Sequence, residues 1–167
     1  EYTQKALHDK MGYVSQKAVL FSGTVRDNIA YGDNGKPKPA DDLIKQASQI
    51  AMCSEFVEKM PDKYEEHIAQ GGSNVSGGQK QRLSIARAIA RQPEIYIFDD
   101  SFSALDFKTD KILRQNLKNS TSGATCLIVA QRIGTIMDAD KIIVLDDGKA
   151  VGEGTHEQLL KTCEVYR

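Results

Sequence analysis

The chain has 167 residues, 40% of them hydrophobic, with 22 Lys and Arg against 23 Asp and Glu and no Trp, which suits one packed core better than two. A net charge of −1 argues against a broadly basic nucleic-acid binder or a polybasic membrane-surface module. No apolar run approaches the roughly 20 residues that cross a bilayer, Glu1-Tyr2-Thr3-Gln4 lacks the shape of a signal peptide, and the unpaired Cys53, Cys126 and Cys163 read as buried thiols of a reducing compartment.

In chain order, Met11-Gly12-Tyr13-Val14-Ser15 is the first short apolar run. Some eighty residues without a comparable strand follow, too many for a simple crossover, so the spacing predicts an inserted and mostly helical subdomain. Gly32-Asp33-Asn34-Gly35-Lys36-Pro37-Lys38-Pro39 reads as a surface loop. Behind Asp41-Asp42, residues Leu43, Ile44, Ala47, Ile50 and Ala51 fall at helical spacing, and Phe56, Val57 and Met60 continue it after Ser54. A basic helical pattern follows Ser76-Gly77-Gly78-Gln79 and stops before Pro93. Ile95-Tyr96-Ile97-Phe98 is the second apolar run, 108–119 a helix, Thr125-Cys126-Leu127-Ile128-Val129-Ala130 the third run and Lys141-Ile142-Ile143-Val144-Leu145 the fourth. Apolar strands alternating with helices indicate an α/β fold with a parallel sheet covered on both faces. Asp147-Gly148 predicts a hairpin into Lys149-Ala150-Val151, and Thr155-x-x-Gln158 a capping box that opens a last helix.

Two places carry candidate chemistry. Glycines at a helix start let backbone N–H groups approach an anion, so Ser76-Gly77-Gly78-Gln79 is a potential phosphate-binding tip; Ser76-x-x-Gln79 is equally an ordinary capping box. Asp99-Asp100 ends an apolar strand, at the carboxyl edge where parallel sheets bind ligands and where Mg²⁺ with a phosphate is at home. Ile142 to Asp147 has the same form, yet Gly148 makes it a turn, so the pattern alone is weak. Neither His8, His67 nor His156 has a partner at metal-ligand spacing, and no nucleophile motif is present.

Order and spacing raise the signal. Ser76 to Gln79, the basic helix, Asp99-Asp100 and Ser103-Ala104-Leu105-Asp106 fall within about thirty residues, and together they closely resemble the nucleotide-binding domain of ATP-binding cassette (ABC) transporters. Val75-Ser76-Gly77-Gly78-Gln79 resembles the signature motif, Ile95 to Asp99 the Walker B strand and Ser103 to Asp106 the D-loop. Gly12-Tyr13-Val14-Ser15-Gln16 resembles the Q-loop, and Ile128-Val129-Ala130-Gln131-Arg132 stands at the switch-loop position. The resemblance covers residues 11–160, and the segments Phe21 to Gly32 and Ile68 to Asn74 are similar to exporter-type members, in which they face the coupling helices and form the cross-communication loop.

The resemblance implies a P-loop NTPase (RecA-like) core, contributed by residues 1–17 and 91–167, with a helical subdomain at about 18–90. It implies ATP and Mg²⁺ as ligands, Asp99 and Gln16 at the metal, and Gln16 and Asp100 at the attacking water. Ser76, Gly77, Gly78 and Gln79 would close over the γ-phosphate held by a second nucleotide-binding domain, with Asp106 at that interface. Membrane domains would be the other partner, placing the chain on the cytoplasmic face of a membrane, with no nucleic acid involved. Two positions depart from the family pattern: Asp100 stands where Glu is usual, and Gln131 where a switch His contacts the γ-phosphate. Glutamine neither carries charge nor shuttles a proton near neutral pH. Both changes weaken this chain's own site and leave its signature intact, as in the degenerate half of a heterodimeric exporter. The competing expectation is a non-hydrolytic regulatory half whose ATP binding only drives dimerisation. No G-x-x-x-x-G-K-[ST] occurs in the chain, so the resemblance implies a phosphate-binding loop before Glu1 and little ATP affinity in the 167 residues alone.

Overall fold

A computed structural model describes residues 2–167, which fall into two compact units, one running to Val129 and one spanning Ala130–Arg167. In the first unit, α1 (Gln4–Lys10) leads into β1 (Met11–Val14). A parallel three-stranded sheet has the order β1, β4 (Ile95–Asp99), β5 (Thr125–Val129), with Tyr13 opposite Ile97 and Asp99 opposite Val129. Side chains alternate across this sheet. Val14, Tyr96 and Phe98 are buried on one face, whereas Tyr13 (58%), Leu127 (54%) and Val129 (50%) are exposed on the other. Where cover on both faces was expected, the described residues bury one face of the sheet and leave side chains on the other exposed. Among the described residues β5 has no second neighbour strand, and Cys126 on it is exposed, contrary to the expectation of three buried thiols; Cys53 and Cys163 are buried.

Against the covered face packs α5 (Gly77–Ala90), whose Leu83, Ile85, Ala86, Ala88 and Ile89 are buried. Glycine at position 12 is what allows this approach: a Cβ there would stand 2.8 Å from Pro93 Cγ and 3.5 Å from Ala88 Cβ. Between β1 and α5 lie the elements of the predicted insert. They are a two-stranded ribbon of β2 (Gly23–Thr24) and β3 (His67–Ile68), and the helices α2 (Val25–Ile29), α3 (Asp41–Ile50) and α4 (Ser54–Val57). Thr24 and Asp27 form a reciprocal capping box at the start of α2. The turn-rich stretch 32–39 is loop, as its Gly, Asn and Pro content predicts.

A half-buried cation organises this region. Arg87, on α5, donates through Nε to the Asn28 carbonyl (2.7 Å), through Nη1 to the Val19 carbonyl (2.9 Å) and through Nη2 to Asn28 Oδ1 (3.1 Å). Its guanidinium lies over the rings of Phe21 and Tyr31, which stack on each other at 4.1 Å. No carboxylate pairs with it among the described residues. Burial pulls its pKa down to about 10, so hydrogen bonds and ring faces must do what a counter-ion usually does. Asn28, which is buried, completes the knot through its side-chain bonds to the Phe21 N–H and the Phe21 and Thr24 carbonyls.

The unit is completed by α6 (Phe107–Ser120), which buries Leu113 and Leu117. In the second unit, α7 (Ile133–Ile136) precedes an antiparallel hairpin of β6 (Ile142–Asp146) and β7 (Lys149–Gly154), followed by α8 (His156–Thr162). The fourth apolar run thus forms a two-stranded sheet of its own, as Asp147-Gly148 foretells: Asp147 has φ +45° and Gly148 +73°, the left-handed pair that tight hairpins require. Ile142, Leu159, Cys163 and Tyr166 make a separate small core, and Thr155 and Gln158 form the predicted capping box. No helix among the described residues is long and apolar enough to cross a membrane.

Candidate functional site

The carboxyl ends of β1 and β4 converge on one cluster. Asp99 is the last residue of β4, and Asp100 leaves the strand with φ +45°, a left-handed conformation that Asp tolerates better than most residues. Its N–H donates to the Val129 carbonyl (2.9 Å), so the reversal is anchored to β5. Ser101, fully buried, donates its hydroxyl to the Val14 carbonyl (2.8 Å) and ties the turn back to β1. These anchors send the two adjacent carboxylates to different partners. Tyr13 Oη donates to Asp99 Oδ2 at 2.9 Å, and Gln16 Nε2 donates to Asp100 Oδ2 at 3.1 Å. The Asp99 hydrogen bond is the main reason the Tyr13 phenol is pushed above its ordinary pKa.

Gln16 is itself steadied through its neighbour, since the buried Gln81 of α5 donates Nε2 to the Ser15 carbonyl at 3.0 Å. Two carboxylates and an amide are hard oxygen donors of the kind Mg²⁺ accepts. No group of three or more His, Cys, Asp or Glu suited to a metal occurs among the described residues. That donor set fits Mg²⁺, which is commonly held by one or two carboxylates with phosphate and water completing the shell.

A second group lies at the start of α5. Ser76 Oγ accepts from the Gln79 N–H (3.2 Å) and Gln79 Oε1 accepts from the Ser76 N–H (2.9 Å), so both side chains serve the capping box. What the turn still offers is backbone. A Cβ at Gly77 would meet nothing within 4 Å, whereas one at Gly78 would sit 3.6 Å from the Ala104 carbonyl oxygen and 3.8 Å from Leu105 Cδ2. The Ser76 to Gln79 turn and the loop 101–105 are therefore neighbours. Asp106, at the end of that loop, is the N-cap of α6: its carboxylate accepts from the Thr109 N–H (3.0 Å) and hydroxyl (2.6 Å), which holds its pKa below the ordinary range.

Of the residues singled out in the sequence, the structure hydrogen-bonds Gln16 to Asp100, places Asp99 next to that pair on the end of β4 with Tyr13 as its own partner, and sets Ser76, Gly77, Gly78 and Gln79 beside the loop that ends in Asp106. Gln131 follows β5 by two residues and belongs to the second unit. Tyr13 and Gln81 were not singled out. An alternating strand next to the Asp-bearing one was the available hint for Tyr13; Gln81 gave none, since a glutamine in a basic helix reads as surface.

A family model described as "ABC transporter" matches residues 1–103. The chain is 45% identical over 166 residues to an uncharacterized ABC transporter ATP-binding protein of Mycobacterium tuberculosis, covering 99% of this chain and 28% of that protein. It is 41% identical over 160 residues to ATP-binding cassette sub-family B member 5 of Homo sapiens, covering 96% of this chain and 13% of that protein. Among solved structures, a bacterial Atm1-family ABC exporter with ATP bound superimposes with a TM-score of 0.90 at 35% identity, over 98% of this chain and 28% of that one. The chain thus spans between about an eighth and somewhat over a quarter of the length of these relatives. The α/β arrangement matches the P-loop NTPase fold of an ABC ATPase.

Proposed function

Because the chain belongs to the ABC transporter family, we propose that it is part of the ATP-binding subunit of an exporter, which couples ATP binding and hydrolysis to transport through membrane domains. The observation that carries this reading is the cluster at the carboxyl edge of the sheet, where Asp99 and Asp100 are each held by a donor from the β1 side. Asp99 and the Gln16 carbonyl would hold Mg²⁺. The metal, when bound, would neutralise charge on the transferred phosphoryl group. Asp100 would orient the attacking water and accept its proton, with Gln16 steering the carboxylate through the amide bond it already makes. The Ser76 to Gln79 turn would offer its backbone N–H groups and helix dipole to the γ-phosphate in a partner nucleotide-binding domain. Asp106 would lie near that interface, and residues 18–90 would form the helical subdomain facing the membrane domains, at the cytoplasmic face.

The finer reading is that this half is degenerate. Asp100 is one methylene shorter than Glu, and a carboxylate displaced by about 1 Å costs on the order of a hundredfold in rate. Gln131 lacks the imidazole that would donate charge to the γ-phosphate. The own site therefore turns over slowly while the Ser76 to Gln79 turn serves the catalytic site of a heterodimeric partner. Single-turnover ATPase measurements on the full-length assembly test this: Asp100→Glu with Gln131→His is expected to raise the rate at least tenfold, and an unchanged rate would refute the degeneracy. The regulatory alternative, dimerisation without hydrolysis, predicts no turnover at either site in the same assay.

A further inference from the structure

Tyr13 has no role in the reading above, yet it makes the direct side-chain contact to Asp99. β1 and β4 run in parallel with Tyr13 opposite Ile97. Because side chains alternate, Tyr13, Ile97 and Asp99 share one face of the sheet, and a side chain as long as tyrosine reaches one step diagonally along the neighbouring strand. The phenol takes that path and donates to Asp99 Oδ2 at 2.9 Å. Oδ1 of the same carboxylate has no hydrogen-bond partner among the described residues. Gln16 makes the equivalent bond to Asp100 Oδ2, so the two carboxylates are each fixed by one neutral donor.

A neutral donor suits this task. A lysine or arginine would compete with a cation for the carboxylate, whereas a phenol fixes its rotation and leaves its charge free. Hydrogen bonds of this kind to metal-binding carboxylates orient them, and their loss commonly weakens metal affinity about 10- to 100-fold.

We propose that Tyr13 is a positioning residue for the divalent cation: its hydroxyl fixes the Asp99 carboxylate on Oδ2 and keeps Oδ1 oriented and available to Mg²⁺. This rests on the assignment of Asp99 to the metal. Tyr13 acts through Asp99 and does not touch nucleotide.

The test uses the full-length protein, with Mn²⁺ as the probe and electron paramagnetic resonance as the readout, in the presence of a non-hydrolysable ATP analogue. Tyr13→Phe removes one oxygen and keeps the ring, and an unchanged thermal midpoint checks that folding is retained. Mn²⁺ affinity is expected to fall about tenfold in Tyr13→Phe, with metal-free nucleotide affinity unchanged. In an Asp99→Asn background the same substitution is expected to have no further effect, because the carboxylate it positions is gone. Equal Mn²⁺ affinity in Tyr13→Phe and wild type, or an undiminished effect in the Asp99→Asn background, would overturn the proposal. If Asp99→Asn alone leaves Mn²⁺ affinity unchanged, the assignment of Asp99 to the metal falls, and the Tyr13 proposal falls with it.

Discussion

Replacing Arg87 separates charge from shape as the source of its contribution. Three bonds from a charged donor, at roughly 1.5 kcal/mol each, and the aromatic contacts, at about 0.5–1 kcal/mol, sum to about 5 kcal/mol of gross stabilisation. Against this stands the burial that pulls the guanidinium to about 10, which costs the charged fold on the order of 3 kcal/mol. Arg87→Met loses the gross stabilisation and escapes the cost of burying charge, so a net loss of about 2 kcal/mol is expected. Arg87→Lys keeps the charge and its desolvation cost, but an ammonium cannot span the Asn28 carbonyl, Asn28 Oδ1 and the Val19 carbonyl as the planar fork does. The conservative variant is therefore expected to be at least as unstable as the Met variant. Urea denaturation followed by circular dichroism measures both. A Lys variant within 0.5 kcal/mol of wild type, with the Met variant clearly worse, would show that charge alone matters and refute the reasoning.

Two further predictions concern local geometry. Gly12→Ala places a Cβ 2.8 Å from Pro93 Cγ and 3.5 Å from Ala88 Cβ, and the overpacking is expected to cost about 1–3 kcal/mol in the same denaturation assay. Asp106 caps α6 with a carboxyl held below its ordinary value of 3.8 by the Thr109 bonds, so its help is present above that pH and is lost as pH falls through the lower folded value. The protection of the Thr109 amide, its exchange rate relative to the intrinsic rate at the same pH, is expected to fall on acidification in wild type, and Asp106→Asn is expected to remove that acid dependence.

Elements governed by local pattern were legible in the sequence. The runs at 11–15, 95–98 and 125–130 became β1, β4 and β5 within a residue or two, and α5 and α6 followed their apolar spacing and breakers. Capping at Ser76 and Thr155 could be read because its partners stand three residues apart. The N-cap role of Asp106 was not read, because the helix was placed at 108–119 and begins one residue earlier, directly after this Asp. What stayed hidden depends on pairs distant in sequence. Tyr13 meets Asp99 and Gln16 meets Asp100 only once β1 and β4 are aligned, and Gln81 and Arg87 look like surface residues of a basic helix until α5 is laid over the segment from Ser15 to Asn28. The open face of the sheet was hidden for another reason: apolar content marks a strand as wanting cover and does not say whether these residues supply it.

The left-handed turn at Asp100 sets folding and chemistry against each other at a single residue. Glycine adopts that conformation without penalty and asparagine more readily than most side chains, while neither supplies a carboxylate. Selection for folding alone, as in a solubility reporter or a consensus redesign, would drift toward Gly or Asn at position 100 and erase the proposed base without any visible defect in the protein. Asp100 thus combines a left-handed backbone, which Gly or Asn would adopt at least as readily, with the negative charge that neither of them would place at the end of β4.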